Sequence, residues 1–263
     1  MLLYLEFLPS LLVAMARIYP CAFLVPAFCF QHIRGMPRHI IVMVMALIPA
    51  PGIHAVLAAK DYSALMISGL VLKEAALGFL LGILLAMPFW MFESVGALLD
   101  NQRGALAGGQ LNPSLGPDAT PIGHLFKQLV IYLLIAVLGL SVLTQVIWDS
   151  YLIWPPTAWL PLPAVNGFSV FIGLLGDTFT HMMLYAAPFI AVLLFLEFGF
   201  ALLGLYSPQL QVSTLATPVK SLAGLVILLL YFPLLQDLIV GRMAQLGDLK
   251  HSLGLMFRGS GHE

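Results

Sequence analysis

LMISGLVLKEAALGFLLGILLAMPFWMFESVGALL, residues 65–99, carries three charges, Lys73, Glu74 and Glu93. Its apolar residues show neither the alternation of a half-buried strand nor a single stripe, so it reads as a helix that is apolar all round. As one helix it rises about 50 Å at 1.5 Å per residue. The hydrocarbon core of a bilayer is about 30 Å thick and takes roughly 20 residues. The run is therefore too long for one upright span. It predicts a long tilted helix, a broken helix or a helical hairpin.

Similar runs cover Phe7–Phe30, Ile40–Ala59, Ile122–Ile147, Phe168–Leu205 and Leu222–Val240, which makes six segments. Phe168–Leu205 is also too long for one span. Asp177, Thr178, Thr180 and His181 interrupt it, and a hairpin turning near Gly176–Thr180 is left open. Across 263 residues the hydrophobic fraction is 61% and the charged fraction 9%, with mean hydropathy +1.01. Soluble domains carry about 25% charged residues, and a chain with so few could not cover a watery surface. Its solvent is lipid or the apolar faces of other subunits. The fold class expected is all-α: a multi-helix integral membrane protein with kinked helices and hairpins. Residues 1–263 form one hydrophobic domain, with a polar tail from about 241 to 263 that is too short to fold alone.

The net charge of −1 gives no polyanion-binding surface and no nucleic-acid partner. The first charge is Glu6, and Arg17 falls inside the first apolar run, so a retained membrane segment is expected in place of a cleaved signal peptide. Cys21 and Cys29 lie in that run and read as small hydrophobes. Arg242, Lys250 and Arg258 place the tail in the cytoplasm, and the Trp/Pro-rich segment 149–167, which lacks Lys and Arg, outside. Arg34 and Arg38 also favour the cytoplasm, but six spans with both ends inside put them outside. Either one segment is a hairpin, or the chain does not sit in the bilayer as an ordinary multispan protein.

Arg17, Lys73, Glu74, Glu93, Lys127 and Glu197 lie in or beside apolar runs. A charge at bilayer depth costs about 2.5–3.5 kcal/mol, so each needs a partner or a polar pathway. Lys73 and Glu74 stand about 100° apart on a helix, and at least one must pair elsewhere. Glu74, Gly78 and Gly82 form a stripe whose GxxxG pair admits a close neighbour. Pro20, Pro26, Pro88, Pro188 and Pro233 interrupt the apolar runs and free carbonyls that require protein or water partners. These features predict a tightly packed, irregular helical assembly.

Asp100–Pro121 is a long Gly/Pro-rich segment that reads as a solvent loop or as a movable lid or plug. It lacks the preceding strand and the Gly-Lys-Ser/Thr ending of a phosphate-binding loop. No HExxH, GxSxG or paired-aspartate pattern occurs, and Asp177 with His181 at i, i+4 is a lone pair. No enzyme, cofactor or metal site is expected.

Two blocks carry a family resemblance. One is Glu74, Gly78 and Gly82 followed by Gly96-Ala97-Leu98-Leu99-Asp100-Asn101-Gln102-Arg103-Gly104. The other runs from Ala187-Pro188 through Glu197 and Gly204 to Ser207-Pro208-Gln209-Leu210-Gln211-Val212, ending in Pro218-Val219-Lys220-Ser221. Arg17 and Pro26 agree with the same pattern. The chain resembles the FliR/SctT family of type III secretion export-apparatus subunits, on the virulence side of the SpaR type. It departs from the pattern at Gln211, at Glu197, and after Lys127, where a Gly-Gly pair is absent.

The resemblance implies a structural and gating subunit in the bacterial inner membrane. It would join R-type (FliP-like) and S-type (FliQ-like) subunits in a helical, pseudo-hexameric cone, much of it raised toward the periplasm. The cone would conduct unfolded virulence effectors and needle components. Further partners would be the FlhB-like switch protein, the FlhA-like export-gate protein, the inner rod and membrane lipid. Gly104, Gly108, Gly109, Pro113, Gly116 and Pro117 become candidates for a channel plug. Glu74, Gly78, Gly82, Gly96, Asp100 and Arg103 become candidates for subunit packing. Pro208, Gln209, Pro218 and Lys220 become candidates for a structural turn, and Arg17, Lys73, Glu93 and Glu197 remain the intramembrane charges. A stand-alone secondary transporter or ion channel, using Arg17, Lys73, Glu74 and Glu197 as a relay, is the alternative.

Overall fold

The computed structural model describes residues 2–29, 33, 35–59, 62–104, 120–158, 167–206 and 212–257. Those residues form nine α-helices and no strand. They are α1 (Leu2–Leu24), α2 (Met36–Ala46), α3 (Ala50–Ala58), α4 (Ala64–Gln102), α5 (Pro121–Leu133), α6 (Ser141–Ile153), α7 (Gly167–Tyr206), α8 (Val212–Ala244) and α9 (Leu249–Phe257). The all-α expectation holds.

Proline and glycine set the boundaries. Val25, just before Pro26, is extended at φ −77°, ψ 116°, because a proline excludes helical geometry from the residue preceding it; α1 therefore stops at Leu24. Pro26 opens a short 3₁₀ turn, Pro26–Phe28. Helices α2, α3 and α5 each have proline in the first two positions, where its missing N–H costs nothing. Gly35, Gly104 and Gly139 take positive φ at the start of α2, after α4 and before α6. Pro9, Pro20, Pro88, Pro188, Pro218 and Pro233 lie inside helices, which are the interruptions expected of kinked helices.

Five helical stretches are long and apolar enough to span a membrane, and a sixth if the bent pair α2 and α3 counts as one span. The long run at 65–99 is one helix. So is Phe168–Leu205, and the hairpin near Gly176–Thr180 is not formed. The polar residues there are satisfied without breaking the helix: Thr180 Oγ1 donates to Gly176 O at 2.8 Å, and His181 Nδ1 lies 2.8 Å from Asp177 O. Two other runs divide. Ile40–Ala59 bends by 66° between α2 and α3, where Pro49 and Pro51 interrupt the backbone ladder. Ile122–Ile147 is interrupted by a π-helical segment, Leu134–Leu138, and by Gly139.

The chain packs as two compact units. The first contains residues 1–87, 138–174 and 244–263; the second contains 88–137 and 175–243. In the first, α1 packs on α2 and α3, and α6 packs on α9. Val13, Ile18, Cys21, Leu70, Leu85 and Ile147 are fully buried there, and Trp148 Nε1 donates to Met45 O at 3.2 Å. In the second, Phe92 stacks on Tyr185 at 5.7 Å and Phe189 meets Tyr231 edge-on at 5.0 Å. The unit boundaries fall inside α4, α7 and α8, so each of these helices contributes to both units.

Candidate functional site

The most demanding side chain in the first unit is Arg17 of α1, which is 1% exposed. Its Nε donates to Glu74 Oε2 of α4 at 2.6 Å, Nη1 to Ser150 Oγ of α6 at 3.1 Å, and Nη2 to the Trp154 carbonyl at 2.9 Å. Its guanidinium lies 4.2 Å from the centre of the Tyr151 ring, whose hydroxyl donates to Ala14 O at 2.7 Å. A planar fork with five donors can meet a carboxylate, a hydroxyl, a carbonyl and a ring face together, and an ammonium cannot.

Glu74 is fully buried. Its second oxygen lies 2.9 Å from Lys73 Nζ, an ion-pair distance without hydrogen-bond alignment. Lys73 Nζ also donates to Pro156 O at 2.6 Å and Ala158 O at 2.8 Å. The cluster thus holds two cations against one carboxylate. Three carbonyls beyond the end of α6 absorb the excess, where the helix dipole is negative. Arg17 supplies the distant partner that Glu74 required, and Lys73 bends back to share it.

Gly78 and Gly82, one and two turns beyond Glu74, let α1 reach it. A Cβ on Gly78 would overlap the Arg17 backbone carbonyl, and one on Gly82 would lie 2.9 Å from Leu24 Cδ1 and 3.0 Å from Cys21 Cα. The neighbour this stripe admits in the structure is α1 of the same chain.

The second unit holds the root of the segment 105–119. Asp100 is fully buried at the end of α4. Its Oδ1 accepts from Arg103 Nε at 2.8 Å, and its Oδ2 accepts from Ile122 N at 2.7 Å. Thr120 caps α5 by accepting from Gly123 N at 3.2 Å. Asp100 therefore neutralises Arg103 and caps an orphan N–H at the positive end of α5. Gly96 and Gly123 bring the two helices together, since a Cβ on Gly96 would lie 2.7 Å from Gly123 Cα. One turn away Lys127 Nζ lies 3.1 Å from Glu93. Asp100→Ala is expected to cost about 2–3 kcal/mol through the buried donors left unpaired, and Asp100→Asn, which keeps an acceptor for Ile122 N, less. Thermal unfolding of the purified protein in detergent checks both, and equal melting temperatures would remove Asp100 from this role.

Asp177 Oδ2 pairs with Arg242 at 2.6 Å, and its Oδ1 lies 3.0 Å from His181 Nδ1. Glu197 lies 3.5 Å from Lys220. Among the described residues no group of three His, Cys, Asp or Glu side chains could hold a metal. A cavity of about 20 Å³ beside Arg17 is lined by leucines, Ile153, Ser150 and Trp154. A wider one of about 400 Å³ lies between α3, α6 and Pro155–Thr157. Its one acidic lining residue, Asp149, lies 3.1 Å from Lys250 Nζ. Neither brings a nucleophile to a base.

Residues 8–246 match the family model described as "Bacterial export proteins, family 1". The chain belongs to the FliR/SctT family. It is 31% identical over 223 residues to the surface presentation of antigens protein SpaR of Salmonella typhimurium, covering 84% of this chain and 82% of that one. It is 31% identical over 219 residues to the Yop proteins translocation protein T of Yersinia pestis, covering 82% of each. It is 30% identical over 175 residues to the secretion system apparatus protein SsaT of Salmonella typhimurium, covering 66% of each. The FliR/SctT family is a structural component of protein-export machinery and not an enzyme family. With its long apolar helices, this member is an inner-membrane subunit of a secretion apparatus.

Of the positions carried over from the family, Gly108, Gly109, Pro113, Gly116 and Pro117 lie outside the described residues, as do Pro208 and Gln209. Gly104 is described, with φ +77° and Thr217 Cγ2 of α8 3.6 Å from where a Cβ would stand. Pro218 and Lys220 lie within α8 and not in a turn; the helix already begins at Val212. Ser150, Tyr151 and Trp154 fall in the Trp/Pro-rich segment 149–167, where nothing local marks them as partners of Arg17. Thr120-Pro121 did carry a readable signal, a capping residue followed by proline at the first helical position.

Proposed function

We propose that this chain is the T-type structural and gating subunit of a type III secretion export gate. It joins R-type (FliP-like) and S-type (FliQ-like) subunits into a channel for unfolded polypeptides, and residues 1–263 act as one export-apparatus domain. The observation that carries this reading is the match over residues 8–246 on a chain that leaves broad apolar faces uncovered. Phe195, Leu205, Leu229 and Leu230 are each more than 70% exposed. The buried charges of the first unit support a passive role: they engage one another and backbone carbonyls, which serves packing better than a relay. The FlhB-like, FlhA-like and inner-rod proteins, a position raised toward the periplasm, and a subunit contact through Arg103 belong to the same proposal, whereas Gly96 and Asp100 are buried against α5 of their own chain.

Co-expression tests it. The tagged chain should bring down two other small hydrophobic proteins in unequal copy number. A lone, homogeneous product that moves a small solute would support the transporter reading instead. In the assembled complex, deleting residues 105–116 is expected to let small ions leak while subunit recovery stays normal. Unchanged permeability in a fully assembled mutant would reject the plug.

A further inference from the structure

Asp237 stands on the exposed face of α8 with no ion pair and no hydrogen bond among the described residues. In α4 to α8, every other described Asp, Glu, Lys and Arg has an ion-pair partner within the chain. The surroundings of Asp237 are apolar. Val219, Leu222, Val226, Leu230 and Leu234 precede it at intervals of three or four positions, which puts them on one helix face, and they are 40–79% exposed. Gly241 follows on that face and is exposed. The carboxylate lies well inside the apolar stretch Thr214–Met256. Acyl chains offer it nothing, and a charge among apolar membrane residues is kept where it meets an opposite charge.

The chain satisfies one such carboxylate internally. Glu74 is followed four positions on by Gly78, where the α1 backbone packs closely enough for Arg17 to reach Glu74 at 2.6 Å. Asp237 is followed four positions on by Gly241, and there nothing lies within 4 Å of where a Cβ would stand. The acid and the glycine recur, and no described helix of the chain covers them. We propose that this face of α8 receives a helix of a different subunit, and that an Arg or Lys on that helix pairs with Asp237. Gly241 lets the two backbones close, as small residues do between membrane helices. A second copy of this chain fits less well: each described Lys and Arg already meets a carboxylate or a backbone carbonyl. This pairing rests on the export reading and names the contact by which one partner subunit is held.

Charge reversal in the co-expressed complex tests it. Asp237→Arg should lower recovery of one small hydrophobic subunit with the tagged full chain by about tenfold or more, and Asp237→Asn by less. Unfolding of the tagged chain alone in detergent should stay as in wild type, because Asp237 has no partner there to lose. In the Asp237→Arg background, each Lys and Arg within the apolar segments of that subunit is changed to Glu in turn, and one change should restore recovery. Wild-type recovery with Asp237→Arg means that water or a lipid ammonium serves the carboxylate. Lost recovery that no reversal restores means that the face is covered without a cation. Either result overturns the proposal. Should Asp237→Arg weaken the chain itself, Asp237→Asn decides: it keeps the shape of the side chain, and undiminished recovery with it overturns the pairing. A wild-type chain that brings down no subunit would sink the export reading, whereas one that brings down its subunits equally well with Asp237→Arg would sink the Asp237 contact alone.

Discussion

Glu74→Ala is expected to destabilise the first unit more than Arg17→Ala, with each costing about 3–5 kcal/mol. Both remove half of a fully buried pair at 2.6 Å, but what they leave behind differs. Without Arg17, the Glu74 carboxylate keeps Lys73 at 2.9 Å. Without Glu74, two neighbouring cations are left with no carboxylate, facing Ser150, the Tyr151 and Trp154 rings and carbonyl oxygens. Arg17→Lys should recover little, because one ammonium cannot meet the Glu74, Ser150 and Trp154 acceptors together. The double variant Arg17→Met with Glu74→Leu should be more stable than either alanine variant, since it removes both fully buried charges and leaves Lys73 its Pro156 and Ala158 carbonyl acceptors. Unfolding in detergent and recovery of chain from membranes both read this order. Equal stability of wild type and Glu74→Ala would show that the cluster does not hold α1, α4 and α6 together.

This cluster also shows what a sequence can and cannot disclose. Cost was legible: a guanidinium and a carboxylate within apolar runs must be paired, and the adjacency of Lys73 and Glu74 required a partner from elsewhere. Identity was not, because Arg17 stands 57 positions from Glu74 and Ser150 and Trp154 lie on a third element. Helix length followed the same division. Apolar composition located α1, α4, α7 and α8 because desolvation acts on every residue of a run. It could not separate a break from a polar patch tied back to its own helix, as Thr180 and His181 are. It also hid the bend between α2 and α3 and the π-helical segment before Gly139, where backbone geometry changes without a change in hydropathy. Pro49 and Pro51 were the visible trace of that bend. At the root of 105–119, glycine content marked the segment, while the convergence of Asp100 on Ile122 N came from packing at Gly96 and Gly123.

The stripe of Glu74, Gly78 and Gly82, spaced four residues apart, makes the second large effect, and it decides between two roles for the same glycines. Gly78→Leu should prevent α1 from seating on α4 and cost at least about 3 kcal/mol, the upper part of the overpacking range. Even the first added carbon would overlap the Arg17 carbonyl, and a backbone atom cannot rotate away as a side chain can. Relief requires the helices to separate, which draws Arg17 off Glu74 and couples the steric loss to the electrostatic one. Gly82→Ala should cost less, because its closest neighbour is the end of the Leu24 side chain. Gly173→Ala and Gly199→Ala, where nothing lies within 4 Å of the new carbon, should be neutral or stabilising by about 0.5–1 kcal/mol through helix propensity. Unfolding in detergent should rank the four variants in that order. If Gly78→Leu lowers recovery of the assembled complex while the purified chain unfolds like wild type, the stripe serves a neighbouring subunit. If chain stability and complex recovery fall together, the glycines act first on their own chain, and the loss of partners follows from the loss of α1.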